Sequence, residues 1–376
     1  MLRLYALLAS LHTYIGWRLL PDMPYGAVAV LPTLALLVAC ALLVPSGFAR
    51  RRRGAGANEQ ALVWAGMIAL GLFSSLFVLT LARDVVLALA WLADDLLDPA
   101  WHRALIAASA IGVPVVALAV TAIGFVNART RARIRDVEVP IDGLPKALDG
   151  FTIAQISDLH VGPTIRRDYV QAVVDAVNRI DADVVAVTGD LVDGSVEELA
   201  AHTEPLQRLT SRHGVFFVTG NHEYYSGAQA WIAEVARLGM RVLSNEHVVV
   251  DHDGARVVVA GVTDYGAHRF DRRQRSDPSA AIAGAPASSV KLLLAHQPLS
   301  AYEAARAGFD LQLSGHTHGG QFLPWNWLVR FWQPFTAGLR RLGHLWVYTS
   351  RGTGYWGPPK RFGAPSEITR LRLVGA

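Results

Sequence analysis

Five short strings in the second half of the chain carry side chains that hold metal ions and move protons. They are Asp158-Leu159-His160, Gly189-Asp190-Leu191-Val192-Asp193, Gly220-Asn221-His222-Glu223, His296, and Gly315-His316-Thr317-His318. Five histidines, three aspartates and one asparagine exceed what a single four-coordinate zinc ion takes, and the set contains no thiolate. Mixed imidazole and carboxylate oxygen suits zinc, iron or manganese, and two such ions can share one carboxylate. On extended backbone, residues i and i+2 point the same way, so Asp158 and His160 can grip one ion together. His316 and His318 have the same spacing and can serve two ions from one loop. Glycines 189, 220 and 315 permit the sharp exits that bring backbone close to the metals.

Each string follows a short β-branched or aliphatic run: Thr152–Ile156, Val184–Thr188, Val215–Val218, Lys291–Ala295 and Leu311–Ser314. Further runs occur at Val257–Ala260 and Trp346–Thr349. Tyr169, Val170, Val173, Val174, Val177 and Ile180 recur at helical spacing, and Ser300–Ala307 and Ala228–Leu238 read similarly, the latter closed by Gly239. Strands alternating with helices predict an α/β layered sheet. The chemical residues then sit past the C-terminal ends of strands, where ligands bind in open α/β sheets.

With these residues in place, the chain resembles the calcineurin-like metallophosphoesterases over residues 151–320, all five strings occurring complete and in order. The segments Ser350-Arg351-Gly352, Arg361-Phe362-Gly363 and Glu367-Ile368, with Gly315 to Gln321, further resemble a bacterial membrane-associated branch. The resemblance implies a four-layer αββα metallophosphoesterase sandwich with two divalent ions. It assigns Asp158, His160, Asp190 and His318 to one ion, and Asp190, Asn221, His296 and His316 to the other, with Asp190 bridging. His222 would be catalytic, facing the scissile phosphate to stabilise charge or protonate the leaving oxygen. Asp193 and Glu223 would orient the ligating loops. Attack by a hydroxide bridging the ions would then hydrolyse a phosphate ester, phosphodiester or pyrophosphate.

The first third is of another kind. The 376 residues are 52% hydrophobic and 18% charged, with mean hydropathy +0.28, against about 25% charge in ordinary soluble domains. Cys40 is the sole cysteine, which excludes an intramolecular disulfide and a cysteine-based metal site. Four apolar stretches, at 2–20, 25–48, 61–82 and 104–126, predict an all-α transmembrane region of about four helices. The first, with His12 and Arg18, is the weakest; a removable signal peptide is its competing reading, but a clear cleavage site is lacking. Asp84–Leu97 is too short to span and reads as an interfacial or partly buried helix. The expected organisation is a transmembrane region at 1–128, a basic linker and entry segment at 129–150, and a phosphoesterase domain at 151–376.

The net charge of +4 is placed by this division. Residues 136–376 hold 23 Arg/Lys against 25 Asp/Glu, so the globular part shows no nucleic-acid footprint. Basicity gathers in Arg50–Arg53 and in Arg129, Arg131, Arg133 and Arg135, beside alternate apolar stretches. By the positive-inside rule both clusters lie in the cytoplasm, which predicts a multi-pass cell-membrane protein with its catalytic domain on the cytoplasmic face. Phe322–Phe335 has six aromatics in fourteen residues. It reads either as packed core or, through Trp325, Trp327 and Trp332, as a lipid contact at the bilayer boundary. Arg269, Arg272, Arg273 and Arg275 form a basic loop that is either solvated or turned to anionic groups. His202, His213, His247, His252, His268 and His344 lack the strand-end context and read as surface or packing residues.

The leading functional expectation is a membrane-anchored, two-metal phosphoesterase (Mn, Fe or Zn) acting on a lipid-linked phosphate. A sugar-nucleotide lipid is one substrate type in the resembled branch, though no residue here reads a base or an acyl chain. The alternatives are a membrane phosphodiesterase for a soluble nucleotide or small phosphodiester and, in a different class, a transporter or sensor with a phosphate-binding domain. The few ionisable groups within the spans count against transport.

Overall fold

The computed structural model of the chain describes residues 2–50, 57–93, 98–286 and 290–376. They form two compact units, one of Met1–Arg129 with Gly357–Lys360 and one of Thr130–Trp356 with Arg361–Ala376.

The first unit is helical: α1 (Leu2–Leu19), α2 (Ala27–Arg50), α3 (Ala57–Leu92) and α4 (Pro99–Arg129). Among the described residues three helical segments are long and apolar enough to cross a membrane, Ala27–Gly47, Glu59–Leu92 and Pro99–Arg129. The sequence predicts about four; α1, with Arg3 and Arg18 near its ends, is less apolar than the other three and is not among these segments. Its Leu8, Ile15 and Leu19 pack with Leu37, Leu72 and Leu76. The separate interfacial or partly buried helix expected at Asp84–Leu97 is corrected. With no proline and no glycine after Gly71 to interrupt it, α3 runs on to Leu92, a length of about 54 Å at 1.5 Å per residue. Residues 94–97 lie outside the described residues, as do Arg51–Arg53 of the first basic cluster.

That continuity puts Arg83 and Asp84 inside a helix, where their charges are answered locally. The Arg83 guanidinium donates to Asp22 (2.6 Å), Ser109 (2.9 Å) and the carbonyls of Arg18 and Ile106. Asp84 accepts from Arg18 at 2.8 Å and from the Tyr14 hydroxyl. Helices α2 and α3 meet at Gly66 and Gly47, where a Cβ on Gly66 would stand 2.7 Å from the Gly47 Cα, so the crossing depends on glycine. The Lys360 ammonium, in the short segment that belongs to this unit, is buried on Gly71 O (2.9 Å), Ser75 Oγ (2.5 Å) and Thr121 Oγ1 (3.0 Å).

The second unit contains β1 (Arg133–Ile141), β2 (Thr152–Ile156), β3 (Val184–Val187), β4 (Val215–Phe217), β5 (Arg241–Val242), β6 (Glu246–His252), β7 (Ala255–Gly261), β8 (Val290–Leu294), β9 (Leu311–Ser314), β10 (Gly338–Leu342), β11 (Leu345–Thr349) and β12 (Glu367–Gly375). They make two six-stranded sheets of order β1-β12-β2-β3-β4-β5 and β10-β11-β9-β8-β7-β6. Strands β2 to β5 are parallel neighbours, as are β7, β8, β9 and β11.

The β period of two divides each strand between two cores. In β3, Val184 and Ala186 face the other sheet beside Leu292, Leu294 and Leu313, whereas Val185 and Val187 join Val170, Val173, Val174, Val177 and Trp231 from covering helices. On the far side of the second sheet, Ala260, Leu293 and Val347 pack with Ala281, Ala301 and Ala304. The layers therefore run helix, sheet, sheet, helix, as expected. Residues 133–141, inside the stretch read as linker, form β1, which pairs parallel with β12 from Arg133 opposite Glu367 to Ile141 opposite Gly375.

Candidate metal centre

The parallel strands deliver all five strings to one edge. Five candidate ligands have left-handed backbone there: Asp158 (φ 53°), His160 (51°), Asp190 (51°), His316 (70°) and His318 (51°). Non-glycine residues avoid that region, and its use at consecutive strand exits is strain concentrated at one site. Gly315 has a different reason to be glycine, since a Cβ there would run into the Ser157 hydroxyl and the Asp158 carboxylate.

Among the groups whose ligand atoms lie within 4.8 Å of one another are two at this edge that contain the candidate ligands alone, Asp158 with His160 and His318, and Asp190 with His296 and His316. In the first, His160 Nε2 lies 3.0 Å from His318 Nε2, which is 3.5 Å from Asp158 Oδ1. In the second, His296 Nε2 is 3.1 Å from Asp190 Oδ2. Asp190 Oδ2 also lies 3.9 Å from His160 Nε2, so this carboxylate stands between the sets.

The ring nitrogens are presorted for cations. His296 Nδ1 sits 2.8 Å from the Thr188 carbonyl, which fixes the proton there and leaves Nε2 a lone pair. His160 is held similarly, Nδ1 lying 3.1 Å from Asp193 Oδ1. His296 Nε2 and Asn221 Oδ1 are buried with no hydrogen-bond partner among the described residues. Buried polar atoms are rarely left so. Two orphaned lone pairs aimed at a carboxylate-lined space fit divalent cations, and the donor set of imidazole, carboxylate and amide oxygen suits Mn, Fe or Zn.

Burial and neighbouring charges pull the groups in opposite directions: burial disfavours the charged form of His296, but the carboxylate of Asp190 outweighs it and raises the pKa of His296 well above the usual imidazole range. Burial opposes ionisation of Asp190, but the imidazoles of His296, His222 and His160 hold its carboxyl well below the usual range. Burial pushes Asp158 up. His316, desolvated and beside His296, is pushed down to about 3 and therefore stays neutral, the state a ligand needs.

Asp193 and Glu223 both hydrogen-bond to the ligand-bearing loops. Asp193 Oδ1 accepts from His222 Nδ1 at 2.5 Å as well as from His160, so one carboxylate orients two imidazoles. Glu223, fully buried, accepts backbone N–H groups of Gly220 (2.7 Å), Asp190 (3.0 Å) and Leu191 (2.8 Å), tying the exit of β3 to that of β4. Burial and the charge of Asp190 push its carboxyl up to about 7. With Nδ1 on Asp193, His222 turns Nε2 toward Asp190 Oδ2 at 4.0 Å.

Arg361 was not foreseen as part of the site. Its buried guanidinium donates to the carbonyls of His318 (3.0 Å), Arg351 (2.7 Å) and Gly354, and meets His318 Nδ1 at 3.1 Å. The Arg361-Phe362-Gly363 string was read from sequence, but its place beside His318 needed the tertiary fold. Asp264 is a second omission, its burial raising its carboxyl and Gln297, next to His296, binding it at 3.0 Å.

In the aromatic stretch, Phe322 is buried, whereas Trp325 (41%), Trp327 (62%) and Trp332 (65%) are exposed. Trp325 and Trp327 belong to the short helix Trp325–Leu328.

This fold and ligand arrangement define a class, and comparison with known proteins agrees with it. Residues 151–320 match the family model "Calcineurin-like phosphoesterase". An uncharacterized metallophosphoesterase of Aquifex aeolicus is 32% identical over 245 residues, covering 65% of this chain and 92% of that protein. The chain belongs to the calcineurin-like phosphoesterase family. A "Transmembrane protein with metallophosphoesterase domain" of Danio rerio is 38% identical over 274 residues, 70% of this chain and 63% of that protein. An uncharacterized metallophosphoesterase of Helicobacter pylori is 39% identical over 256 residues, 67% and 66% of the two chains. This chain thus spans just under two thirds of the length of these last two relatives.

Proposed function

We propose that this chain is a membrane-anchored, two-metal hydrolase of phosphate esters whose catalytic domain faces the cytoplasm and whose substrate is a lipid-linked phosphate. The observation that carries the reading is the pair of buried, unpartnered lone pairs on His296 and Asn221, set against Asp190 at the strand exits. Asp158, His160, Asp190 and His318 would hold one ion, and Asp190, Asn221, His296 and His316 the other. Bound there, the ions would supply Lewis-acid stabilisation of phosphoryl oxygens and an activated water. The protein's own part is positional. Asp193 fixes the tautomers of His160 and His222, Glu223 locks two ligand loops together, and His222 presents Nε2 to donate a proton to the departing oxygen. Hydrogen bonding to Asp193 and the charge of Asp190 outweigh burial and raise the pKa of His222, which favours the donor form.

Three apolar helices support membrane residence, the relative named a transmembrane protein agrees, and three exposed tryptophans, Trp325, Trp327 and Trp332, in the stretch that follows His318 support a substrate that resides at the bilayer boundary. The test uses the full chain purified in detergent. Bis-(4-nitrophenyl) phosphate should be turned over with added manganese and not after chelation, and a screen of lipid extracts should reveal a phosphate-bearing lipid that is consumed faster than soluble nucleotides. Metal-independent turnover would refute the mechanism, and preference for nucleotides would refute the lipid assignment.

A further inference from the structure

At the edge of the sandwich opposite the catalytic loops, Asp183 precedes β3, His213 precedes β4, and His252 ends β6. Sequence reading left both histidines as surface or packing residues, yet their donor atoms and an oxygen of Asp183 lie within 4.8 Å of one another. We propose that Asp183, His213 and His252 form a third divalent-metal site, of the zinc class, that clips the two sheets together.

The spacing is the first argument. His213 Nε2 lies 3.0 Å from His252 Nδ1, and His252 Nδ1 lies 3.6 Å from Asp183 Oδ1. A tetrahedral ion with bonds of about 2.0–2.1 Å sets its ligand atoms roughly 3.3–3.4 Å apart, between those two values. The set Asp158, His160 and His318 at the catalytic edge has the same signature, 3.0 Å and 3.5 Å.

Orientation is the second. Asp183 Oδ2 accepts the Thr152 N–H at 2.8 Å, which turns Oδ1 toward the imidazoles. His252 Nε2 faces Asp253 Oδ2 at 3.5 Å, which favours the ring proton on that nitrogen and leaves Nδ1 turned into the cluster. A carboxylate on the far nitrogen is the usual companion of a ligating histidine. The buried Phe151 ring stacks on His213 and meets His252 edge-on, walling one side. The Asp183 side chain keeps 19% of its exposure, which leaves water access to a fourth position.

Arg212 is the competitor. Its Nη1 stands 3.4 Å from His252 Nδ1 and 4.0 Å from Asp183 Oδ1, while Nη2 holds Asp253 at 2.7 Å. The side chain is 50% exposed and can withdraw into solvent, so it sets the affinity of the site rather than closing it. Two ligands come from the first sheet and one from the second, so the ion would stabilise the sandwich far from the reacting phosphate.

The experiment counts ions in the full chain purified in detergent, stripped by chelation and reloaded with zinc or cobalt. Three ions per chain are expected in the parent, and two in His213→Gln/His252→Gln with catalytic turnover retained. In an Asp190→Asn background, one cobalt should remain with the visible absorption of tetrahedral coordination, and a hundredfold excess of zinc over its Kd should raise the unfolding midpoint by about 5–10 °C. Arg212→Ser, a change at an exposed side chain that leaves packing intact, should tighten the third ion at least threefold. Equal ion counts in the parent and in His213→Gln/His252→Gln, or an Arg212→Ser affinity no tighter than the parent's, would overturn the site and leave a plain His213–His252 hydrogen bond.

Discussion

Removing the Asp193 carboxylate isolates the contribution of a group that would touch neither ion nor substrate. Its Oδ1 accepts from His222 Nδ1 at 2.5 Å and from His160 Nδ1 at 3.1 Å, and the side chains of Asp193 and His160 are 5% and 1% exposed. Solvent therefore replaces neither bond well. A hydrogen bond to a charged group is worth about 1.5–3 kcal/mol. If the His222 bond matters only while His222 acts in the reaction, Asp193→Ala should lower kcat at saturating manganese by roughly 10- to 150-fold, at about 1.4 kcal/mol per tenfold. The His160 bond should appear separately, as a loss of about 10- to 100-fold in affinity for the ion His160 binds. The assay is a double-mutant cycle with His222→Ala, read as kcat across a manganese titration. In the His222→Ala background Asp193→Ala should cost little further kcat while still weakening metal binding. Additive losses in kcat, or unchanged metal affinity in Asp193→Ala, would refute the account of one carboxylate serving two imidazoles.

Other outcomes follow from the same geometry. Asp190→Asn should lose both catalytic ions and all measurable turnover, which metal analysis beside Asp193→Asn would check; retention of two ions with near-normal rate would exclude bridging. His222→Ala should keep its metal while turnover falls by about 10²- to 10⁴-fold, with much of the loss rescued by a nitrophenolate leaving group that hardly needs a proton. Replacing Trp325, Trp327 and Trp332 together by serine should reduce turnover of lipid phosphate in vesicles and spare a small soluble diester, without lowering the unfolding temperature, because all three are exposed. A C-terminal fluorescent protein should glow and a C-terminal alkaline phosphatase should be inactive; the reverse pattern would overturn the cytoplasmic assignment.

The catalytic edge was legible because its signal is local. A short, mostly apolar strand followed within four residues by Asp, His or Asn needs no tertiary knowledge to interpret, and Asp158, Asp190, Asn221, His296, His316 and His318 all converge at that edge. What stayed hidden depends on pairing across the chain. Arg133–Ile141 alternates polar and apolar residues, yet its basic start beside an apolar helix read as linker, and only the partner strand more than 220 residues later makes it β1. Arg361 is likewise defined by carbonyls of residues 318, 351 and 354. Helix boundaries failed for an electrostatic reason. Arg83 and Asp84 looked like the end of a span because an isolated charge is costly in lipid, but Asp22 and Arg18 pair with them, and Ser109 and Tyr14 hydrogen-bond to them, so the helix runs on.

The place of β12 between β1 and β2 has a consequence for biosynthesis. Sheet order is β1-β12-β2, and β12 follows every other strand in sequence. During synthesis, β1 emerges without a neighbour and one side of β2 stays unpaired until residues 367–375 have left the ribosome. At about 5–20 residues per second, that leaves the nascent strands incomplete for roughly 10–50 s after β1 is made. Helices α2 to α4 are all translated earlier, so insertion into the bilayer can precede closure of the sandwich. The nascent chain would then be tethered at the membrane, with exposed strand edges available to chaperones, before its metal ligands are brought together.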